Sequence, residues 1–345
     1  MNDQDTLHQF SRAIDWFGGA IAISATSIGI ELGLFDALKK RHSATSAQLA
    51  AALGLTPRAV DVWAKTLIHH GLLDPVGIGE VSMAPGVELM VCEPPTPCDY
   101  NLAPLFEFYA KFASRDFLEL PAFFRDGRPI PASRHGLPLV RNVARQTTSL
   151  HAAFASTILP QLPELAEPLA SGGLLVDVGC GTGDLGIQVC SKFQAARYLG
   201  IDLDRTAIAE GRQIAATAGM EDRVRLEAMP TEDLTRASVD AATFFLSLHE
   251  FPVGDREAAI TAVGAALKPD GWLLVIDECY PATPLEALEP SARAAIQFQY
   301  EELLWGSSLL SRDELDALLR GAGSLEVIRR PILDGSIEMV LARFA

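Results

Sequence analysis

The sequence predicts a doubly wound α/β domain preceded by a smaller, mainly helical one, and three observations carry that reading. The first is an apolar run, Leu174 to Val178, that passes into the glycine turn Gly179-Cys-Gly-Thr-Gly183 and then into helical spacing from Asp184. An unbroken apolar run of this length, bounded by a glycine turn, reads as a strand covered on both faces. The second is the alternation of strand and helix patterns that follows as far as Phe344, as a parallel sheet with right-handed crossovers requires. The third is a pattern of helix, turn, helix and hairpin within residues 1–95.

A chain of 345 residues with 49% hydrophobic and 21% charged content has room for about two globular domains. Its net charge of −16 and pI near 4.8 argue against a nucleic-acid partner, because phosphate binding draws on clustered Lys and Arg. Five cysteines without framework spacing point to reduced thiols and a cytoplasmic setting. The start, Met1-Asn-Asp-Gln-Asp5, is acidic where a secretory signal is basic, and no apolar run reaches about 18 residues without polar interruption, so no membrane partner is expected.

Helices are expected over 7–38. Thr45-Ser-Ala-Gln48 is a capping box that opens a short helix through Leu53. Thr56-Pro57 starts the next helix, with Val60, Trp63 and Leu67 on one face. A Gly-rich hairpin over 74–85 completes a winged-helix pattern. The presumed recognition helix offers only Arg58 and Lys65 against Asp61, too little for a phosphate footprint, so the module reads as an interaction domain. Residues 96–168 form a connecting helical layer. There Phe106, Phe108, Tyr109, Phe112, Phe117, Phe123 and Phe124 crowd together, either as core or as walls of an apolar pocket for a flat substrate. Residues 169–345 continue with a helix over 205–219, strands over 224–227 and 239–246, a helix over 255–267, a strand over 272–276 and a helix over 311–321. A terminal antiparallel pair is expected over 325–332 and 336–344.

The chemistry-bearing residues cluster at strand ends. Asp177 interrupts the apolar strand, where a buried carboxylate is costly unless it meets a cation or several donors. Asp202, about 25 residues on and at the end of the next strand, is placed to accept both hydroxyls of a ribose. His249 alone among seven histidines stands at a strand end, where it suits proton transfer near neutral pH.

Val176-Asp-Val-Gly-Cys-Gly-Thr-Gly183 with Gly200-Ile-Asp-Leu203 resembles the class I S-adenosylmethionine-dependent methyltransferases. The first 95 residues, with Glu31-Leu-Gly-Leu-Phe-Asp36, resemble the dimerisation domain of small-molecule O-methyltransferases. The resemblance implies a Rossmann-like seven-stranded sheet of order 3-2-1-4-5-7-6. It puts S-adenosylmethionine on Gly179, Gly181 and Gly183, with Asp177 near its ammonium group and Asp202 on its ribose. Leu203 and Met229 join that site. Met229 stands near where the family has an Asp for the adenine, and Glu232 or Asp233 are candidates for the missing polar contact. Leu248-His-Glu-Phe251 resembles the Leu-His-Asp-Trp motif, which makes His249 the base that takes the proton of a small, aromatic hydroxyl acceptor. Glu278 matches the glutamate that orients this histidine. The family's second glutamate is replaced at Ser308-Leu-Leu-Ser311, and Glu301 and Glu302, on the helix holding Phe298, Tyr300 and Trp305, are the substitute candidates. Two alternatives stay open: an iron site of His249, Glu250 and Glu302, resembling C-methyltransferases of 2-oxo acids, and a non-catalytic S-adenosylmethionine-binding protein. A homodimer is implied, with Ile23, Ile28 and Leu32 as interface residues.

Overall fold

In the computed structural model, which describes residues 3–344, the chain divides into two compact units with the boundary between Ser114 and Arg115. The layer expected over 96–168 is therefore shared out between them.

The first unit begins with α1 (Asp3–Glu31), α2 (Leu34–Arg41), β1 (Ala44–Thr45), α3 (Ser46–Leu53) and α4 (Pro57–His69) and continues with the hairpin β2 (Leu73–Val76) and β3 (Glu80–Met83). Thr45 and Gln48 form the expected capping box of α3, a device that contributes about 1 kcal/mol. Val60, Trp63 and Leu67 of α4 bury one face against Leu34, Phe35, Leu38 and Leu49. The Trp63 indole N–H donates to the Ala25 carbonyl at 2.9 Å, so the one polar atom of that ring is satisfied. β1 pairs with β3 beside the hairpin, which makes a three-stranded wing. Both cations of α4 are engaged by Asp61, Arg58 at 3.3 Å and Lys65 at 2.9 Å.

The expectation about membrane-length apolar segments needs correction at α1. Residues Gln4–Glu31 form a helix long enough, and apolar enough over an 18-residue window of mean hydropathy 1.4, to cross a membrane by length and composition. The interrupting polar residues include uncharged Ser and Thr, which lower hydropathy little. Leu7, Phe10, Ile14, Phe17, Ile21 and Ile28 are all exposed, and their spacing of three and four residues as far as Ile21, with Ser24 at the next position before Ile28, is a heptad stripe.

The second unit is built on β4 (Leu174–Val178), β5 (Arg197–Ile201), β6 (Val224–Glu227), β7 (Val239–Phe245), β8 (Leu267–Glu278), β9 (Glu326–Ile332) and β10 (Ile337–Arg343). Their order is β6-β5-β4-β7-β8-β10-β9, which is 3-2-1-4-5-7-6 counted within this sheet. β10 runs antiparallel between β8 and β9. Side chains alternate between two cores as a strand period of two demands. Leu274, Ile276, Met339 and Leu341 face one core, whereas Leu273, Val275, Val340 and Ala342 face the other. β4 is where the strand order reverses, between β5 and β7. An open sheet leaves a crevice outside the carboxyl ends of its strands at that point.

Candidate active site

The loop after β4 takes its shape from its glycines. Gly179, Gly181 and Gly183 have φ of 73°, 53° and 72°, in the left-handed region that costs a side chain. A Cβ on Gly179 would stand 2.5 Å from the Ser247 Cβ, whereas a Cβ on Gly181 would meet nothing within 4 Å. Gly181 thus faces open space. Its amide donates to Asp202 Oδ2 at 2.8 Å, and the Asp204 amide donates to Asp202 Oδ1 at 2.8 Å. Asp202 is therefore locked to the loop while each oxygen keeps a lone pair for a ligand. Asp177 is 2% exposed, and burial pushes its carboxyl up to about 7 against the Tyr198 hydroxyl that donates to Oδ2 at 2.5 Å. Its Oδ1 has no hydrogen-bond partner among the described residues, a deficit that a bound donor would remove.

Asp177, Gly179, Gly181 and Asp202 open on a cavity of about 350 Å³, within the range of small-ligand sites. Helix Gly136–Ala153 supplies a wall through Leu139, Val140, Val143, Thr147 and His151, one face at helical spacing. His151 is held by Asp184 at 3.0 Å and by the edge of Phe245, 4.8 Å between ring centres. Gly183, Leu203 and Met229 do not line this cavity. Gly183 turns the chain into helix Asp184–Lys192 against Leu226, Leu203 is 73% exposed, and Met229 packs against the sheet core. Glu232 and Asp233 are not on its wall either.

At the end of β7 the chain turns through Leu246, whose φ of 52° is an outlier for a branched side chain, into a short turn over Leu248–Glu250. Arg256, buried, clamps this turn from behind by donating to the carbonyls of His249 and Ser308 at 2.7 Å and of Phe251 at 3.0 Å. His249 is 5% exposed. Its Nδ1 lies 2.6 Å from Asp277 Oδ1, and its Nε2 lies 3.8 Å from Glu302 Oε1. The carboxylate bonded to the ring is therefore Asp277, a correction to the expected Glu278. Neighbouring strand residues point to opposite faces, and Asp277 shares the face of Val275 that packs with Leu248. Glu278 stays near: one ligand atom each of His249, Asp277 and Glu278 lie within 4.8 Å of one another. The expected metal trio of His249, Glu250 and Glu302 is not the group that converges in this way among the described residues.

Burial alone would lower the histidine pKa, but the charges of Asp277 and Glu302, the Asp277 hydrogen bond and the charge of Glu250 together hold it well above its usual range. Burial raises Glu250 to about 8, helped by Glu302, Asp202 and Asp277 and opposed by His249. Solvent does reach Glu250 inside the cavity, yet surrounding protein limits how much water can solvate it, so the upward direction holds. Glu278 is raised to about 7 by burial and by Asp277. Glu250 and Glu302 line the cavity, and His249 stands behind that wall.

The pocket wall differs from the aromatic expectation. None of the seven clustered rings lines the cavity; Phe108 and Phe112 are buried in their own unit and Phe124 is 70% exposed. The rings on the wall are Phe245 and Trp305. Trp305 is pinned by its indole N–H, which donates to Asp116 Oδ2 at 2.8 Å, and Asp116, fully buried, also binds His135 at 2.9 Å and Arg134. As site residues, His151, Asp184, Asp277 and Trp305 escaped the sequence reading. Only the first had a local signal, the three-and-four spacing back along its helix.

Residues 175–271 match the family described as methyltransferase domain, and residues 19–74 match the family described as Rv2258c-like winged HTH domain. A curated relative, O-methyltransferase resE of Aspergillus sclerotiorum, is 29% identical over 45% of this chain and 55% of its own. The chain spans about half the length of the curated relatives it matches. Among solved structures, the mitomycin 7-O-methyltransferase MmcR superposes with a TM-score of 0.77 at 21% identity over 100% of both chains. Human N-acetylserotonin methyltransferase in complex with S-adenosylmethionine gives 0.74 at 16% identity over 98% of both.

Proposed function

We propose that this protein, whose residues 175–271 match a methyltransferase domain, moves the methyl group of S-adenosylmethionine to a hydroxyl of a small aromatic acceptor, with His249 taking the proton. The observation that carries this reading is that the glycine loop and the carboxylates beside His249 open on one cavity. The residues of the loop fit the cofactor. The unpartnered Asp177 Oδ1 suits its ammonium group, Asp202 its ribose, and the bare face of Gly181 its close approach. When bound, the cofactor supplies a sulfonium methyl group open to in-line attack.

The protein's part is to hold the acceptor and remove its proton. Asp277 fixes the ring through Nδ1 and leaves Nε2 toward Glu302 and the cavity, the arrangement by which a carboxylate sets a histidine's tautomer and stabilises its charged form. With its pKa held above the usual range the ring keeps its proton to higher pH than a free histidine, and it accepts the acceptor's proton only in the form that has lost its own. Glu302 is the cavity-side group that faces that proton. On the exposed stripe of α1 we place a second copy of the chain.

His249→Ala should lower turnover by about 10²–10⁴ while calorimetry shows cofactor affinity preserved. Undiminished turnover of that variant on its true acceptor would remove the base from the mechanism.

A further inference from the structure

The wall of the cavity is one-sided in charge. It carries the carboxylates of Asp177, Asp184, Asp202, Asp204, Glu250 and Glu302, and no lysine or arginine. Most of these acids are already engaged. Asp177 and Asp202 belong to the cofactor loop, Asp184 holds His151, and Asp204 caps helix Arg205–Thr217 through the amides of Thr206 and Ala207. Glu302 faces His249 and accepts the Ser307 hydroxyl at 2.5 Å.

Glu250 is left over. Its carboxylate makes no hydrogen bond among the described residues, and the ionisable groups that act on it are His249 and three further acids, Glu302, Asp202 and Asp277. In the same wall stands Trp305, its ring fixed by the indole N–H bond to the buried Asp116. An indole and a carboxylate without a hydrogen-bond partner on the wall of one cavity suit a cation, because the ring quadrupole and the charge both attract it. An acceptor bearing a carboxylate or phosphate would meet like charge with no lysine or arginine on the wall to receive it.

We propose that the acceptor carries a cationic nitrogen, a protonated amine or a quaternary ammonium apart from the hydroxyl that is methylated, and that Glu250 and Trp305 hold it. This rests on the methyl-transfer reading above. The two residues are specificity determinants, and the upward pressure that burial puts on the Glu250 carboxyl is relieved when such a cation binds.

The test loads the full-length protein with S-adenosylhomocysteine, the demethylated cofactor, and titrates benzyltrimethylammonium, benzyl alcohol and benzoate by calorimetry. The cation should bind about tenfold or more tightly than the alcohol, a preference of cation–π size or larger, and benzoate more weakly than either. Glu250→Gln should bring cation and alcohol to within about threefold, and Trp305→Leu should reduce the preference by a smaller factor. Retained binding of S-adenosylhomocysteine shows that each variant is folded; where one is not, the other and the wild-type series decide. Benzoate binding as tightly as the cation, or a preference unchanged in both folded variants, overturns the inference and leaves methyl transfer standing. Failure of the wild-type protein to bind S-adenosylhomocysteine overturns the methyl-transfer reading itself.

Discussion

At His249 the 2.6 Å bond to Asp277 and the nearby Glu302 set both the orientation and the charge of the ring. With the histidine pKa held above its ordinary range, kcat/KM should rise with pH through an apparent pKa above that range. Glu302→Gln should move that rise to lower pH, because it removes a negative charge that favours imidazolium; an unmoved profile would exclude the histidine as the titrating group. Asp277→Asn should cost more turnover than Glu278→Gln, since only Asp277 bonds the ring. Glu250 links to stability with the same sign as His249, because its proton too is held more tightly in the folded state. Its folded pKa, about 8, lies above the usual value of 4.5, so the folded state binds a proton more tightly than the unfolded state between those limits. Glu250 therefore opposes folding increasingly as pH rises from about 4.5 to about 8. Thermal melts should show Glu250→Gln more stable than wild type at about pH 8, with the gain gone near pH 4. His249 and Asp202 were legible in the sequence because each follows an apolar strand, and Asp177 because a carboxylate interrupts one. The choice between Asp277 and Glu278 was not, since it depends on which face of β8 each residue occupies, a matter of register that only packing fixes.

The glycine loop and the carboxylate that fastens it act as one element. Asp202 holds the Gly181 and Asp204 amides, so Asp202→Ala would free the loop as well as remove a ribose acceptor. Cofactor binding should weaken by about 1.5–3 kcal/mol, the scale of hydrogen bonds to a charged group, and calorimetry giving unchanged affinity would remove the ribose assignment. The strand order could be read in advance because alternating strands and helices allow few right-handed arrangements, and the resemblance to known methyltransferases selected among them. The pocket wall was harder. Density of aromatic rings over 106–124 could not choose between core and pocket wall, because an aromatic count says nothing about direction. Helix Gly136–Ala153 builds the wall largely from Leu, Val, Ala and Thr, residues whose pattern fits a core equally well. Trp305 reaches the cavity through a bond to Asp116, 189 positions away in the chain, and no local pattern records such a pairing.

For the molecule as a whole, the stripe on α1 decides between partners. Six large apolar residues, Leu7, Phe10, Ile14, Phe17, Ile21 and Ile28, stand between 49% and 70% exposed along one helix, more apolar surface than a free helix face ordinarily leaves in water. A membrane surface and a second copy of the chain could each cover it. Helices that lie on membranes are rich in Lys and Arg beside the apolar face. α1 instead carries Arg12 among Asp5, Asp15 and Glu31, on a chain of net charge −16, which anionic lipid would repel. The heptad spacing suits a second helix, whose knobs enter the holes between such residues. Ile28 and the neighbouring Leu32 are exposed as the interface reading requires, while Ile23 is already half-buried within its own unit. Light scattering at micromolar concentration should therefore give twice the 37.1 kDa of one chain. The pair Ile14→Glu and Phe17→Glu should halve that mass without unfolding the unit, because both side chains are exposed in the single chain. A wild-type monomer that pellets with anionic vesicles would assign the stripe to a membrane instead. A wild-type dimer that keeps its mass when the stripe is charged would place the interface elsewhere on the chain.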